Sequence, residues 1–184
     1  MAGTEGSSQQ DRREVWRRYF ESSARLVHRL EQSMRAASDL TLADYNVLLL
    51  LTDAPNHRLR MGELARRLVF SPSRLTYLVK SLSERGLVER RCTAEDRRGT
   101  DAVLTEDGAD AFRRAAVLHA RDVHDLFLDD LSDEDVAVLG RVFTDLDTRL
   151  QADRGARSPA PSGARADAGR RPGDRRRAPR RGRQ

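Results

Sequence analysis

The stretch 71-SPSRLTYLVKSLSERGLVERRCTAEDRRGTDAVLT-105 decides the fold. Ser71 can cap a helix, and Pro72 suits its first position, where a missing N–H costs nothing. Leu75, Leu78, Val79 and Leu82 recur at three- and four-residue steps and make one face apolar. The other face carries Ser73, Arg74, Thr76, Tyr77 and Lys80, side chains able to donate to phosphates and base edges. Gly86 ends the helix as a C′ glycine does. Leu87-Val88 and Val103-Leu104 then flank a polar tip, Thr93 to Asp101, that holds Asp96, Arg97 and Arg98. A helix fit for a major groove, followed at once by a hairpin with arginines at its tip, predicts a winged helix-turn-helix.

Upstream of this stretch, residues 1–10 are small and polar and are expected to be disordered. A long helix is expected from about Asp11 to Ala37, with Val15, Trp16, Tyr19, Phe20, Leu26, Val27, Leu30 and Met34 on a broad apolar stripe. Thr41 and Asp44 have the spacing of a capping pair and open a second helix, with Tyr45, Val47, Leu48, Leu50 and Leu51 inward. Pro55-Asn56 breaks it. Arg58-Leu59-Arg60 reads as a short strand. Met61 to Leu68 reads as a short helix without a Ser or Thr cap.

Downstream, Thr105 caps a helix running to about Leu128, and Ser132 with Asp135 opens the last one, inward at Val136, Leu139, Val142, Phe143, Leu146 and Leu150. Residues 151–184 lack large apolar side chains and are expected to be a disordered, arginine-rich tail. The fold class is therefore mainly α with a small β-wing. The winged helix lies at about 41–105 inside a domain of 11–150, with outer helices at about 11–37 and 106–150. These outer helices carry more apolar surface than so small a head can cover. Pairing with a second copy buries it, with DNA half-sites about 10 bp apart.

Charge is unevenly spread. The net charge is +5, but residues 151–184 hold 11 arginines against 3 aspartates, which leaves the first 150 residues at −3. Nucleic-acid affinity must then come from a few placed side chains, not from overall basicity. The tail is either a further phosphate contact or a solubilising extension. One cysteine, Cys92, excludes an intramolecular disulfide and fits a cytoplasmic protein. No secretory signal is present, and the longest apolar run, Val47 to Leu51, is far too short for a membrane span. No phosphate loop, HExxH or nucleophile elbow is present, so an enzyme is not expected, and no cofactor is implied. His28, His57, His119 and His124 lack metal-ligand spacing, since His119 and His124 are five apart.

The segments GELARRL (62–68), SPSRLT (71–76), GLVER (86–90) and DRRGTDAVLTEDG (96–108) together resemble the MarR family of transcriptional regulators, over about Val15 to Leu150. The resemblance implies a homodimeric regulator of double-stranded DNA, usually a repressor of a pseudo-palindromic operator, often released by a small molecule or an oxidant. Carried onto this chain, it implies DNA contacts from Ser71, Ser73, Arg74, Thr76, Tyr77 and Lys80. Arg74 would read a guanine edge, and Ser71 and Thr76 would meet phosphates. In the wing, Arg98 would enter the minor groove, Asp96 would hold it and Arg97 would lie on phosphates. Tyr77 stands where many relatives place arginine, and would pack on a sugar or a thymine methyl. An effector pocket between outer helices and head would involve Tyr19, His28 and Tyr45, which otherwise read as packed or surface residues. Two alternatives remain at this stage: an oxidant-sensing repressor acting through Cys92, and a non-specific architectural DNA-binding protein.

Overall fold

Each helix start written in the sequence forms through the local hydrogen bond it encodes. The computed structural model describes the backbone of residues 3–93 and 96–157, and the side chains of residues 8–92 and 99–153. The elements are α1 (Gly3–Ala37), α2 (Leu42–Thr52), β1 (Arg58–Arg60), α3 (Met61–Leu68), α4 (Pro72–Glu84), β2 (Val88–Thr93), β3 (Asp96–Leu104), α5 (Glu106–Val123) and α6 (Asp133–Arg157). A 3-10 turn at Pro55–His57 precedes β1, and a π turn at His124–Leu128 follows α5. Thr41 and Asp44 make a reciprocal capping box on α2, both bonds at 3.0 Å. Thr105 Oγ1 accepts from Gly108 N at 3.0 Å on α5, and Ser132 Oγ accepts from Asp135 N at 3.2 Å on α6.

The chain divides after Leu131 into two units. In the first, α2, α3, α4, the sheet and α5 enclose one core of Leu48, Leu51, Leu64, Leu75, Val79, Leu82, Val88 and Ala102, all essentially without exposure. Among the described side chains of α1, Leu30 and Met34 are the buried ones. The sheet is antiparallel in the order β1-β3-β2, with Arg60 opposite Asp101 and Asp101 opposite Arg91. The second unit contains α6, whose Val136, Val142, Phe143 and Leu150 are exposed. Among the described residues no helix is long and apolar enough to cross a membrane.

Three boundaries differ from expectation. α1 opens at Gly3, so residues 3–10 are helical rather than disordered; no proline interrupts them, and a helix in progress extends cheaply. α6 runs past residue 150 to Arg157, two residues before Pro159, which could not continue it. The remaining tail, residues 158–184, lies outside the described residues. In the wing, residues 96–101 belong to β3 and not to a loop tip. Backbone ladder bonds form whatever the side chains, and a ribbon of polar residues leaves no apolar alternation to read.

The turn between α3 and α4 holds Val69 at φ 56°, ψ 35°, in the left-handed region. A β-branched residue is strained there, by about 1–3 kcal/mol. Val69 is also 67% exposed, so its side chain contributes little packing in return. Val69→Gly is expected to stabilise the fold by about 1 kcal/mol, read as a higher urea midpoint at unchanged slope. An unchanged or lower midpoint would show that this backbone carries no such strain.

Candidate nucleic-acid interface

α4 presents two faces for two purposes. Leu75, Val79 and Leu82 are buried beneath it, while Ser71, Ser73, Arg74, Thr76, Tyr77 and Lys80 are all exposed along its outer side. The sequence-predicted set on this helix is thus brought together on one surface. Ser71 Oγ accepts from Arg74 N at 3.3 Å, as the capping reading requires, and lies 3.3 Å from Ser73 Oγ. The free N–H groups of this first turn and the helix dipole both favour an anion here.

The side chains differ in readiness. Arg74 does not extend from the helix; its guanidinium lies 4.0 Å from the centroid of the Phe70 ring, a cation–π shelf. Thr76 Oγ1 donates to Pro72 O at 2.8 Å, so its hydroxyl proton is already committed and only its acceptor side faces outward. That changes the expected phosphate contact: Thr76 must first break a helix bond, whereas Ser71 Oγ, besides accepting from Arg74 N, has the 3.3 Å contact with Ser73 Oγ, in which either hydroxyl can donate. Tyr77 is 77% exposed, free to pack on a sugar or base. Lys80 sits 3.6 Å from Glu84 in an exposed i,i+4 pair, which water and a phosphate can easily replace.

Sequence reasoning missed the residues that fix this helix to the head. Arg85, its C-cap, donates through Nη1 to Asp44 at 3.3 Å and through Nη2 to Asp39 O at 2.7 Å. The capping carboxylate of α2 is therefore also the anchor of α4. Nothing local signals a pair separated by 41 residues. Gly108 is the second missed contact, since α5 passes directly over the carbonyl of Leu87 at that point. The side chains of Asp96, Arg97 and Arg98 lie outside the described residues; their backbone belongs to β3.

The three residues named for an effector pocket are not brought together. Tyr19 lies on the exposed face of α1, with its ring 5.8 Å from Trp16. Tyr45 is buried, stacked 5.3 Å from Phe112 and 4.6 Å from the His119 ring. Burial raises the Tyr45 hydroxyl pKa, helped by Asp53, and lowers that of His119 against the pull of Asp122. Both therefore favour their neutral forms, as packed core groups do. His28 is exposed and borders a groove of about 500 Å³ with Val27, Glu31, Arg35, Leu42 and Arg74. Cys92 is exposed on β2, and among the described residues no group of three or more His, Cys, Asp or Glu side chains could hold a metal.

A family model described as MarR family matches residues 38–99, the stretch from the end of α1 into the wing. The transcriptional repressor YetL of Bacillus subtilis is 29% identical over 137 residues, covering 74% of this chain and 81% of that protein. Two solved structures of MarR family transcriptional regulators from Streptomyces coelicolor are similar to this chain. The structure of AbsC is 33% identical with a TM-score of 0.72, over 76% of this chain and 94% of that one. The structure of Sco3205, solved in complex with DNA, is 32% identical with a TM-score of 0.75, over 77% and 89%.

Proposed function

The chain belongs to the MarR family of DNA-binding transcriptional regulators, and from that premise we propose that it is a cytoplasmic homodimeric repressor of a pseudo-palindromic operator, released by a small-molecule effector. The observation that carries the specific reading is the capped helix α4, with three apolar residues buried beneath it and six polar residues exposed along it. The relative Sco3205 was captured on DNA, which favours the same use of the matching helix here.

Dimerisation rests on surface the chain leaves uncovered. Val15, Trp16 and Phe20 on α1 are each more than 60% exposed, and Trp16 and Phe20 pack against one another at 6.2 Å. An aromatic cluster of this kind on a helix face is a self-association surface, since monomers rarely leave one in water. The effector reading draws on the groove beside His28, which places α1 next to Arg74. A molecule bound there would touch the arginine assigned to base reading.

Sequencing of genomic fragments retained by the protein tests the function directly. A palindrome with half-sites about 10 bp apart is expected. Uniform enrichment with steep salt dependence would overturn the specific reading in favour of an architectural protein. For the dimer, Trp16→Glu with Phe20→Glu is expected to sediment as a folded monomer. It should lose about 10²–10⁴-fold in operator affinity, the gain that linking two half-site contacts provides. A double variant that remains dimeric would place the interface elsewhere.

A further inference from the structure

The outer face of the wing sheet carries a charge arrangement that the reading helix does not explain. Asp101 on β3 is only 3% exposed, although it lies on the face of the sheet turned away from the buried Ala102 and Leu104. Arginines cover it. Arg60 on β1 and Arg91 on β2 are its cross-strand partners, so the three stand in one row across the sheet. Arg58 Nε lies 3.4 Å from Asp101 Oδ2, and Arg60 Nε lies 3.7 Å from Oδ1. Oδ1 is buried without a hydrogen-bond partner. Arg91 turns instead to Glu89, at 2.7 Å.

Edge arginines alone would be ordinary protection of a short outer strand. A carboxylate stripped of water between them is not, because its burial is costly and a threonine or valine would suit the strand better. What the carboxylate does is draw two guanidinium groups to itself by charge, with Arg58 at 3.4 Å and Arg60 at 3.7 Å. Arg58 brings its Nε to Asp101 while its side chain stays 52% exposed, so its guanidinium remains open to a further partner from solvent. A guanidinium matches two oxygens of a phosphate.

We infer that this face, Arg58 and Arg60 held around Asp101, is a second phosphate-binding surface for the DNA that α4 reads. Arg58 and Arg60 are its donors and Asp101 is a positioning residue. DNA is the occupant by continuity: β3 runs from Asp101 to the wing arginines Arg97 and Arg98 in three to four residues, about 10–13 Å. A DNA strand held at the wing can reach the cluster within a few nucleotides. The inference rests on the DNA-binding reading of the chain and extends its contact area beyond helix and wing tip.

The test is the salt dependence of binding to a mixed-sequence duplex and to a fragment retained in the genomic selection. Arg58→Gln and Arg60→Gln are each expected to flatten the slope of log K against log salt by about one unit. The preference for the selected fragment should persist, since phosphates carry no sequence information. Arg58→Lys keeps the charge and is expected to keep the slope. Asp101→Asn separates positioning from plain charge. It removes a negative charge, so a merely repulsive Asp101 predicts tighter binding and a steeper slope. Positioning predicts weaker binding at unchanged helicity. Unchanged slopes in both glutamine variants, as an acidic protein partner at this face would give, overturn the inference; so does tighter binding by Asp101→Asn. Wild-type binding in the same titration distinguishes failure of this surface from failure of the DNA-binding reading.

Discussion

Gly108→Ala is expected to destabilise the first unit by about 3 kcal/mol or more, at the upper end for an overpacked core. A Cβ at this position would overlap the carbonyl oxygen of Leu87 and stand 2.9 Å from Leu104 Cδ1. The first of these is backbone and cannot rotate away. The same Leu87 carbonyl accepts the Thr105 N–H at 3.2 Å, and Thr105 Oγ1 donates to Gly86 O at 2.7 Å. The extra methyl group therefore enters the joint where the end of α4, the start of β2 and the cap of α5 meet. Relief requires α5 to lift from that joint, which opens the core at Leu104 and Ala115. Urea unfolding followed by circular dichroism at fixed protein concentration measures the loss. Gly62→Ala and Gly140→Ala are the controls, since a Cβ at either meets nothing within 4 Å. Inside helices those two are expected to stabilise by about 0.5–1 kcal/mol. A Gly108→Ala midpoint equal to wild type would mean that this close approach is not made.

Gly108 also shows where sequence reading stops. Its place three residues after Thr105 is visible in the chain, and the cap of Thr105 follows from it. The carbonyl it must clear belongs to Leu87, 21 positions earlier, and no local pattern points there. The same division runs through the molecule. Caps at Thr41, Ser71, Thr105 and Ser132 were legible because donor and acceptor lie three residues apart. The apolar face of α4 was legible because 3.6-residue periodicity survives in the sequence.

The bonds that orient the site were not legible. Arg85 reaches Asp44 and Asp39 across the α1–α2 link, and Leu42 N donates to Glu31 Oε2 at 2.8 Å from an adjacent helix. Asp101 looked like one more polar residue of a loop, and only the pairing of three strands makes it a buried carboxylate. The stripe on α1 is apolar, as its helical spacing indicates, yet most of its first half lies in water. Periodicity tells which face is apolar, and not whether this chain or a second copy covers it.

Arg74→Ala is expected to lower affinity for the selected operator by about 10–100-fold, the value of one bidentate base contact. Binding to mixed-sequence DNA should fall far less, with a slope flatter by about one unit. The guanidinium reaches the groove from a defined starting point, 4.0 Å above the Phe70 ring. That shelf restricts the side chain before DNA arrives, so less freedom is lost on contact. Arg74→Lys separates charge from geometry. An ammonium keeps the phosphate-like attraction, and hence the salt slope, but cannot form two parallel bonds to a guanine edge. It is expected to bind mixed-sequence DNA like wild type and the operator nearly as weakly as alanine does. Phe70→Leu keeps the core volume and removes the aromatic face. It should cost the operator complex less than Arg74→Ala does, and should add little to it in the double variant, because both act through the same guanidinium. Equal losses on operator and mixed-sequence DNA for Arg74→Ala would reassign Arg74 to the backbone. Base reading would then pass to Ser73, Tyr77 and Lys80, on the same exposed face of α4.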